Sequence, residues 1–288
     1  MSSHKDKFSV GRMCKVLEVS KTSYYRWLAK PVGIWEQQNL VVGAEIKQDF
    51  VASKMTYRSP RIAADLQARG MKISRQRTAR IMSVMGIKVI RKPAFRDTTN
   101  SNHTYPVAPN VLSKQFTTEA SCQVWVSDIT YLATAEGWLY LTVILDLFQR
   151  RAVGWSMSSC MAVDQTTVPA FQRAVKKHPL TEALVFHSDR GIQYAAVDFT
   201  KVLGANPLIT RSISRKGNYW DNAMAESFFS SFKRECTSRH KFATRMEAGL
   251  VVFEWIETWY NRLRRLSHLG QMNILEFEQQ FFKPKQAA

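Results

Sequence analysis

Three β-forming segments stand almost back to back in the middle of this chain, and few folds accommodate them. Val124–Leu132, Trp138–Leu147 and Ala152–Met157 are rich in β-branched and aromatic residues, and one connection is only Ala135-Glu136-Gly137. The pattern then changes. Asp164–Lys176 has helical spacing, Leu184–His187 is a short apolar strand, Ala196–Leu203 is helical again, and Leu208–Ile213 reads as a fifth strand. Adjacent strands followed by strand–helix alternation predict an α/β fold, a mixed five-stranded sheet covered by helices. Two further helices, Asp221–Ser238 and Met246–Arg262, close the chain.

The first third reads differently. Phe8–Leu17 repeats apolar residues at helical spacing, Glu18-Val19-Ser20 turns, and Ser20 caps a second helix, Lys21–Ala29. A second pair follows: Pro60 lies near the start of Arg61–Arg69, Gly70 ends it, and Ser74 caps Arg75–Met85 before Gly86. Both pairs have a helix-turn-helix shape. Their second helices carry Lys21 and Arg26, and Arg75, Arg77 and Arg80, as candidate DNA contacts. Basic residues can also do no more than solvate a helix face, so the charge distribution has to decide. The chain has 41 Lys+Arg against 23 Asp+Glu, a net of +18. Residues 1–110 hold +13 of it, which points to a polyanion partner for this basic helical region.

A membrane surface is the weaker partner. The longest apolar run, around Trp138–Leu145, is about eight residues, far short of the ~20 that span a bilayer. The first residues lack the apolar stretch of a secretory signal. Cys14, Cys122, Cys160 and Cys236 form no C-x-x-C pair and have no His at zinc spacing. They are expected to be reduced thiols of a cytoplasmic protein. Residues 92–118, with three Pro and many Thr, Asn and Ser, read as a linker. The expected division is 1–91 basic helical region, 92–118 linker, and 119–288 α/β core with its C-terminal helices.

Three acids in that core carry the chemistry. Asp128 sits among β-formers in Trp125-Val-Ser-Asp-Ile-Thr-Tyr131, a placement that Asp ordinarily avoids unless it bonds to a turn or has work to do. Asp189 follows the strand Leu184–His187, at the kind of strand end where catalytic groups gather, although Asp before a Gly is also an ordinary turn. Glu226 lies near a helix start, about 200° around from Phe228 and so away from the apolar face. Ser230 and Lys233 share its side, and Lys233 is a candidate phosphate contact. A solvated surface Glu is the plain alternative. Together the three suit two Mg²⁺ or Mn²⁺ ions acting on a phosphodiester, since these ions take hard oxygen ligands from few carboxylates.

The motifs around these acids resemble a known family. Val124-Trp-Val-Ser-Asp-Ile-Thr-Tyr131, Glu136-Gly-Trp-Leu-Tyr-Leu141, Asp146-Leu-Phe-Gln-Arg-Arg-Ala-Val-Gly-Trp155, His187-Ser-Asp-Arg-Gly-Ile-Gln-Tyr194 and Ser214-Arg-Lys-Gly-Asn-Tyr-Trp-Asp-Asn-Ala223 with Glu226-Ser-Phe-Phe229 look like the integrase core of OrfB transposases of the bacterial insertion-sequence-three family. Upstream, Tyr57-Arg-Ser-Pro-Arg-Ile62 and Ala108-Pro-Asn110 resemble the helical module that precedes that core. The resemblance implies an RNase H-like fold and places Asp128, Asp189 and Glu226 at the metal-binding acidic triad. It implies cleavage at element ends and transfer of a DNA 3′-hydroxyl into target DNA. It further implies an OrfA partner or an OrfA–OrfB fusion, and a homo-oligomer on DNA. Two functions remain beside it, a sequence-specific regulator whose acids are structural and a nuclease of the same fold that only hydrolyses.

Some positions depart from the family pattern. Thirty-six residues separate Asp189 from Glu226, one more than usual, and the extra one is expected near Gly204–Arg211. Arg58 replaces the usual Gly, Ile192 a common Ser, and Ile274 a usual Pro. Among weaker candidates, Asp146 fits a strand-end turn, Asp221 an N-cap, Trp155 and Trp220 the core, and His187 a packing role.

Overall fold

The computed structural model describes residues 1, 4, 6–29, 33–89, 108–112, 118–215 and 222–281. Most of the linker at 92–118 lies outside them, as do Trp220 and Asp221. The chain forms two compact units, Met1–Ala52 with Tyr57–Lys88, and Ser53–Thr56 with Val89–Ala288.

The first unit is all helical: α1 (Val10–Val16), α2 (Lys21–Leu28), α3 (Ile34–Ala52), α4 (Ser59–Ala68) and α5 (Arg75–Val84). The predicted caps are present. Ser20 Oγ accepts the Ser23 N–H at 2.9 Å and Ser74 Oγ the Arg77 N–H at 3.2 Å. Gly70 and Gly86 follow α4 and α5 with φ of 87° and 66°, left-handed positions that suit glycine. The long α3 was not foreseen. It has apolar residues on every side, with Ile46 and Phe50 buried and Trp35, Leu40, Val41 and Val51 exposed, so it shows no helical period. Arg69 of α4 ties to it through Glu45 and Asp49, at 3.2 and 2.7 Å.

The second unit holds the mixed sheet. Its strands are β1 (Val124–Thr134), β2 (Gly137–Asp146), β3 (Ala152–Ser158), β4 (Leu184–Ser188) and β5 (Ile209–Ile213), in the order β3-β2-β1-β4-β5. β1–β2 and β2–β3 are antiparallel, whereas β4 joins β1, and β5 joins β4, in parallel. The helices are α6 (Thr167–Lys177), α7 (Ile192–Ala195), α8 (Val197–Gly204), α9 (Ala223–Glu235), α10 (Arg245–Phe253) and α11 (Ile274–Phe281). Between α10 and α11 the chain continues in wider π-type turns over Glu254–Leu263. This is the RNase H-like arrangement that the motifs implied. No described helix is long and apolar enough to cross a membrane.

Trp125, Ile144 and Val153 from the sheet pack with Phe171, Phe186, Phe199 and Leu203 in one core. The approach of α6 to β3 depends on Gly154: a Cβ there would lie 2.4 Å from Ala170 O and 2.6 Å from Ala174 Cβ. Gly154→Ala is therefore expected to force the helix off the sheet and cost about 1–3 kcal/mol, the range of an overpacked core. A thermal melt reads this as a lowered Tm, and an unchanged Tm would refute the close packing.

Candidate active site

Strands β1 and β4 run in parallel as far as the pair Ser127–Ser188. Asp128 is the next residue on β1 and Asp189 the next after β4, so the two carboxylates stand where the strands part. Asp128 Oδ1 accepts the Ile129 N–H at 2.7 Å, and Asp189 Oδ1 accepts the Gly191 N–H at 2.9 Å. Gly191 fits because it is small: a Cβ would come within 3.0 Å of that Asp189 oxygen. Both acids line a cleft of about 260 Å³ with Tyr131, Tyr140, Met161 and Ile192.

Glu226 is exposed in the first turn of α9, where the helix N-terminus favours a negative charge. The three acids feel one another. Burial pushes the Asp128 carboxyl well above the usual carboxylate range, and the charges of Asp189 and then Glu226 add to it. The Ile129 N–H and the Lys233 ammonium oppose this only in part. Asp189 acts on Asp128 more strongly than Glu226 does, so two acids form the tight pair and the third stands further out. Among the described residues, no three His, Cys, Asp or Glu side chains are already gathered around one ion-sized point. The donor chemistry nonetheless suits a hard cation: carboxylate oxygens whose mutual repulsion a dication would relieve.

The floor of the cleft is a hydrogen-bonded chain. Ser127 Oγ donates to Val143 O at 3.0 Å and accepts from the Tyr194 hydroxyl at 2.7 Å. Burial, then the charges of Asp128 and Asp189, push that phenol up, so Tyr194 stays a neutral donor. Neither Ser127 nor Tyr194 was singled out in the sequence, where a Ser and a Tyr in apolar strands and turns carry no distinctive signal.

Helix α9 is anchored at its far end. Glu235 is fully buried, bound by Arg264 through Nε and Nη2 at 2.8 Å each and by Trp259 Nε1 at 3.1 Å. Burial alone would raise its pKa, but Arg264, with help from Trp259 and Arg234, holds it at about 2. Phe228 and Phe232 of the same helix stack edge-on against Trp255, with centroids 5.4 and 5.0 Å away. The other candidates fall as follows. Asp146 accepts the N–H groups of Cys122 and Phe148 at 2.6 and 2.8 Å, the turn expected of it. His187 is buried between the hydroxyls of Ser212 and Ser214, at 2.9 and 3.1 Å, in a packing role. Trp155 gives its indole N–H to Glu257 at 2.8 Å. Lys21, Arg26, Arg75 and Arg80 are exposed. Arg77 is half-buried: its guanidinium bonds Asn39 at 2.9 and 3.1 Å and covers the Trp35 ring, joining α5 to α3.

Comparisons with known proteins show the family. Residues 118–218 match the family profile described as integrase core domain, residues 208–273 a second integrase core profile, and residues 36–95 an HTH-like domain. The HTH-like match takes in α3, the helix missed in the sequence. Transposase InsF for insertion sequence IS3fB of Escherichia coli is 35% identical over 96% of this chain and 96% of its own length. The insertion element IS600 31 kDa protein of Shigella sonnei is 39% identical over 93% and 98%. The chain belongs to this transposase family. Among solved structures, the transposase is similar to the simian T-cell lymphotropic virus intasome, solved with a PP2A regulatory subunit (TM-score 0.43, 14% identity, 78% of this chain and 72% of that one). It is also similar to the HTLV-2 integrase catalytic core in complex with magnesium (TM-score 0.37, 14% identity, 54% and 95%).

The Glu235 clamp gives a prediction for the transposase. Its carboxylate stabilises the fold fully above the unfolded value near 4.5, and that contribution is lost as the pH falls through about 2. Glu235→Gln strands Arg264 in the interior and should cost about 3–5 kcal/mol at neutral pH. It should also flatten the fall in stability between pH 5 and pH 2. Chemical denaturation followed across that pH range checks both, and a neutral substitution would show that the clamp is dispensable.

Proposed function

We propose that this transposase cuts the ends of its insertion element and joins them to target DNA, with Asp128, Asp189 and Glu226 as the metal-holding acids. The supporting observation is that Asp189 and Glu226, from separate segments, both bear on the Asp128 carboxyl, with Lys233 beside them. Asp128, Asp189 and Glu226 would hold two Mg²⁺ or Mn²⁺ ions, with the substrate's own phosphates as further ligands. When bound, such ions stabilise the attacking and leaving oxygens of an in-line displacement at phosphorus. The remaining work belongs to the chain's own groups. The N–H groups of Ile129 and Gly191 each hold one carboxylate oxygen in place beside the cleft. The neutral Tyr194 phenol closes the floor without adding charge. Lys233 would bind a phosphate beside the reacting one, which sets the 3′-hydroxyl against the scissile phosphorus.

The proposal extends to the two-part layout of a basic helical region, linker and core, and to the contacts of Lys21, Arg26, Arg75 and Arg80 with DNA. It also includes an OrfA partner or fusion, assembly as a homo-oligomer on DNA, and work in the bacterial cytoplasm. A regulator would not require a shared field among three acids at a strand parting. A hydrolysing nuclease would use the same acids and differs only in its nucleophile, so a joining assay with pre-cut ends separates the two.

Asp128→Asn, Asp189→Asn and Glu226→Gln keep side-chain volume and remove one charge each. Each is expected to lower cutting and joining by orders of magnitude while DNA binding survives, measured with whatever OrfA partner the parent needs. Near-parent joining by all three would sink the proposal. Mg²⁺ should raise the Tm of the parent, because a ligand that binds only the folded state stabilises it, and Asp128→Asn should abolish that rise. Lys233→Ala is expected to weaken joining and to reduce the slope of log affinity against log salt by about one. A slope equal to the parent's would remove Lys233 from the phosphate path.

A further inference from the structure

Beside the acids stand two exposed aromatic rings that the chemistry above does not use. Tyr131 of β1 and Trp138 of β2 lie with centroids 4.9 Å apart and planes at 83°. Strand pairing puts them on one face, since Tyr131 is opposite Tyr140, two residues along β2 from Trp138. Tyr131 is 38% exposed and Trp138 49%, open positions for rings of that size. Tyr131 lines the cleft that holds Asp128 and Asp189, and Lys233 Nζ lies 6.0 Å from the centre of its ring.

The hairpin tip that carries Trp138 is fixed from outside. The Ala135 N–H donates to Phe242 O at 3.0 Å. The backbone N–H of Arg245 donates to Glu136 Oε2 at 2.8 Å, and its Nε to Trp138 O at 3.0 Å. Gly137 turns the tip with a φ of 108° and leaves room for the same guanidinium, which a Cβ would meet at 2.9 Å. The rings are thus held in place before anything binds, which lowers the ordering cost of binding.

We infer that Tyr131 and Trp138 form a stacking platform for the base of an unpaired DNA nucleotide, with Lys233 beside it to take the phosphate. The inference rests on the reading of this chain as a DNA strand transferase. An aromatic face accepts the π-face of any base, whereas a base inside a duplex has both faces covered. A cation over one ring, next to carboxylates that need a metal, suits a polyanion better than an apolar protein segment. The unpaired base could come from a frayed element end or from a base extruded from target DNA, and both present the same chemistry.

The test places 2-aminopurine at the unpaired position of an end duplex with a few unpaired terminal nucleotides, and separately in a duplex with a one-base bulge. Both are titrated with the full chain in chelator, where no joining occurs, beside a blunt duplex. The platform predicts quenching of the probe and tighter binding than to the blunt duplex. Trp138→Ala should remove a preference of about tenfold, equal to about 1.4 kcal/mol, and Trp138→Phe should keep most of it. Quenching with the frayed end alone assigns the platform to the element end, and quenching with the bulge alone assigns it to the target. Unquenched probe in both, or a preference intact in a Trp138→Ala variant with parental circular dichroism, overturns the inference. Because this readout needs no catalysis, its failure is distinct from joining that survives loss of the triad acids.

Discussion

Like charges held side by side repel, and the integrase-core part of this chain is built around one such repulsion. Asp128 and Asp189 meet because two parallel strands run together as far as Ser127 and Ser188 and then separate. Ordinary sheet hydrogen bonding thus delivers two acids from distant sequence positions to one place without any dedicated loop. The neighbours are chosen so as not to relieve the repulsion themselves. Each acid receives a backbone N–H, and the buried Tyr194 phenol beside them stays neutral. The Lys233 ammonium only partly offsets the field at Asp128. Acids left in that state are the kind of donor set that the proposed hard divalent ion would relieve.

Holding the third acid is a separate problem, solved at a distance. Glu226 is exposed at one end of α9. The opposite end is fastened by Glu235, the one carboxylate of the helix that is buried and fully matched by a guanidinium. Aromatic contacts to Trp255 hold the middle. The helix is therefore packed at its middle and far end and exposed at its first turn. Two glutamates nine positions apart on it lie at opposite ends, one buried as an anchor and the other exposed in the first turn.

Much of this could be read in advance, and the reasons are local. The five strands and the caps at Ser20 and Ser74 follow from side-chain periodicity and from hydroxyls that accept nearby N–H groups, both of which are sequence-near effects. Asp128 was visible because a carboxylate among β-formers is out of place. Helix α3 was not, since a helix with apolar residues on all sides shows no period. The Arg77 bond to Asn39 and the Glu235–Arg264 clamp join residues 38 and 29 positions apart, and such partners emerge only when the chain is folded. Ser127 and Tyr194 were hidden for the same reason: their importance lies in a contact between them.

The seat of His187 has a consequence for the edge of the sheet. Its ring nitrogens meet Ser212 and Ser214, alternate residues on or just beyond β5, and Ser212 also receives the N–H groups of Val111 and Leu112. A slip of β5 by one position would bring Ile213 against the imidazole and leave both nitrogens without partners in a dry interior. Outer strands held only by grease can slide, but this one is keyed like a lock with two polar teeth. The key fixes the residue at which the chain leaves the sheet on its way to α9, and so helps decide where the third acid can stand.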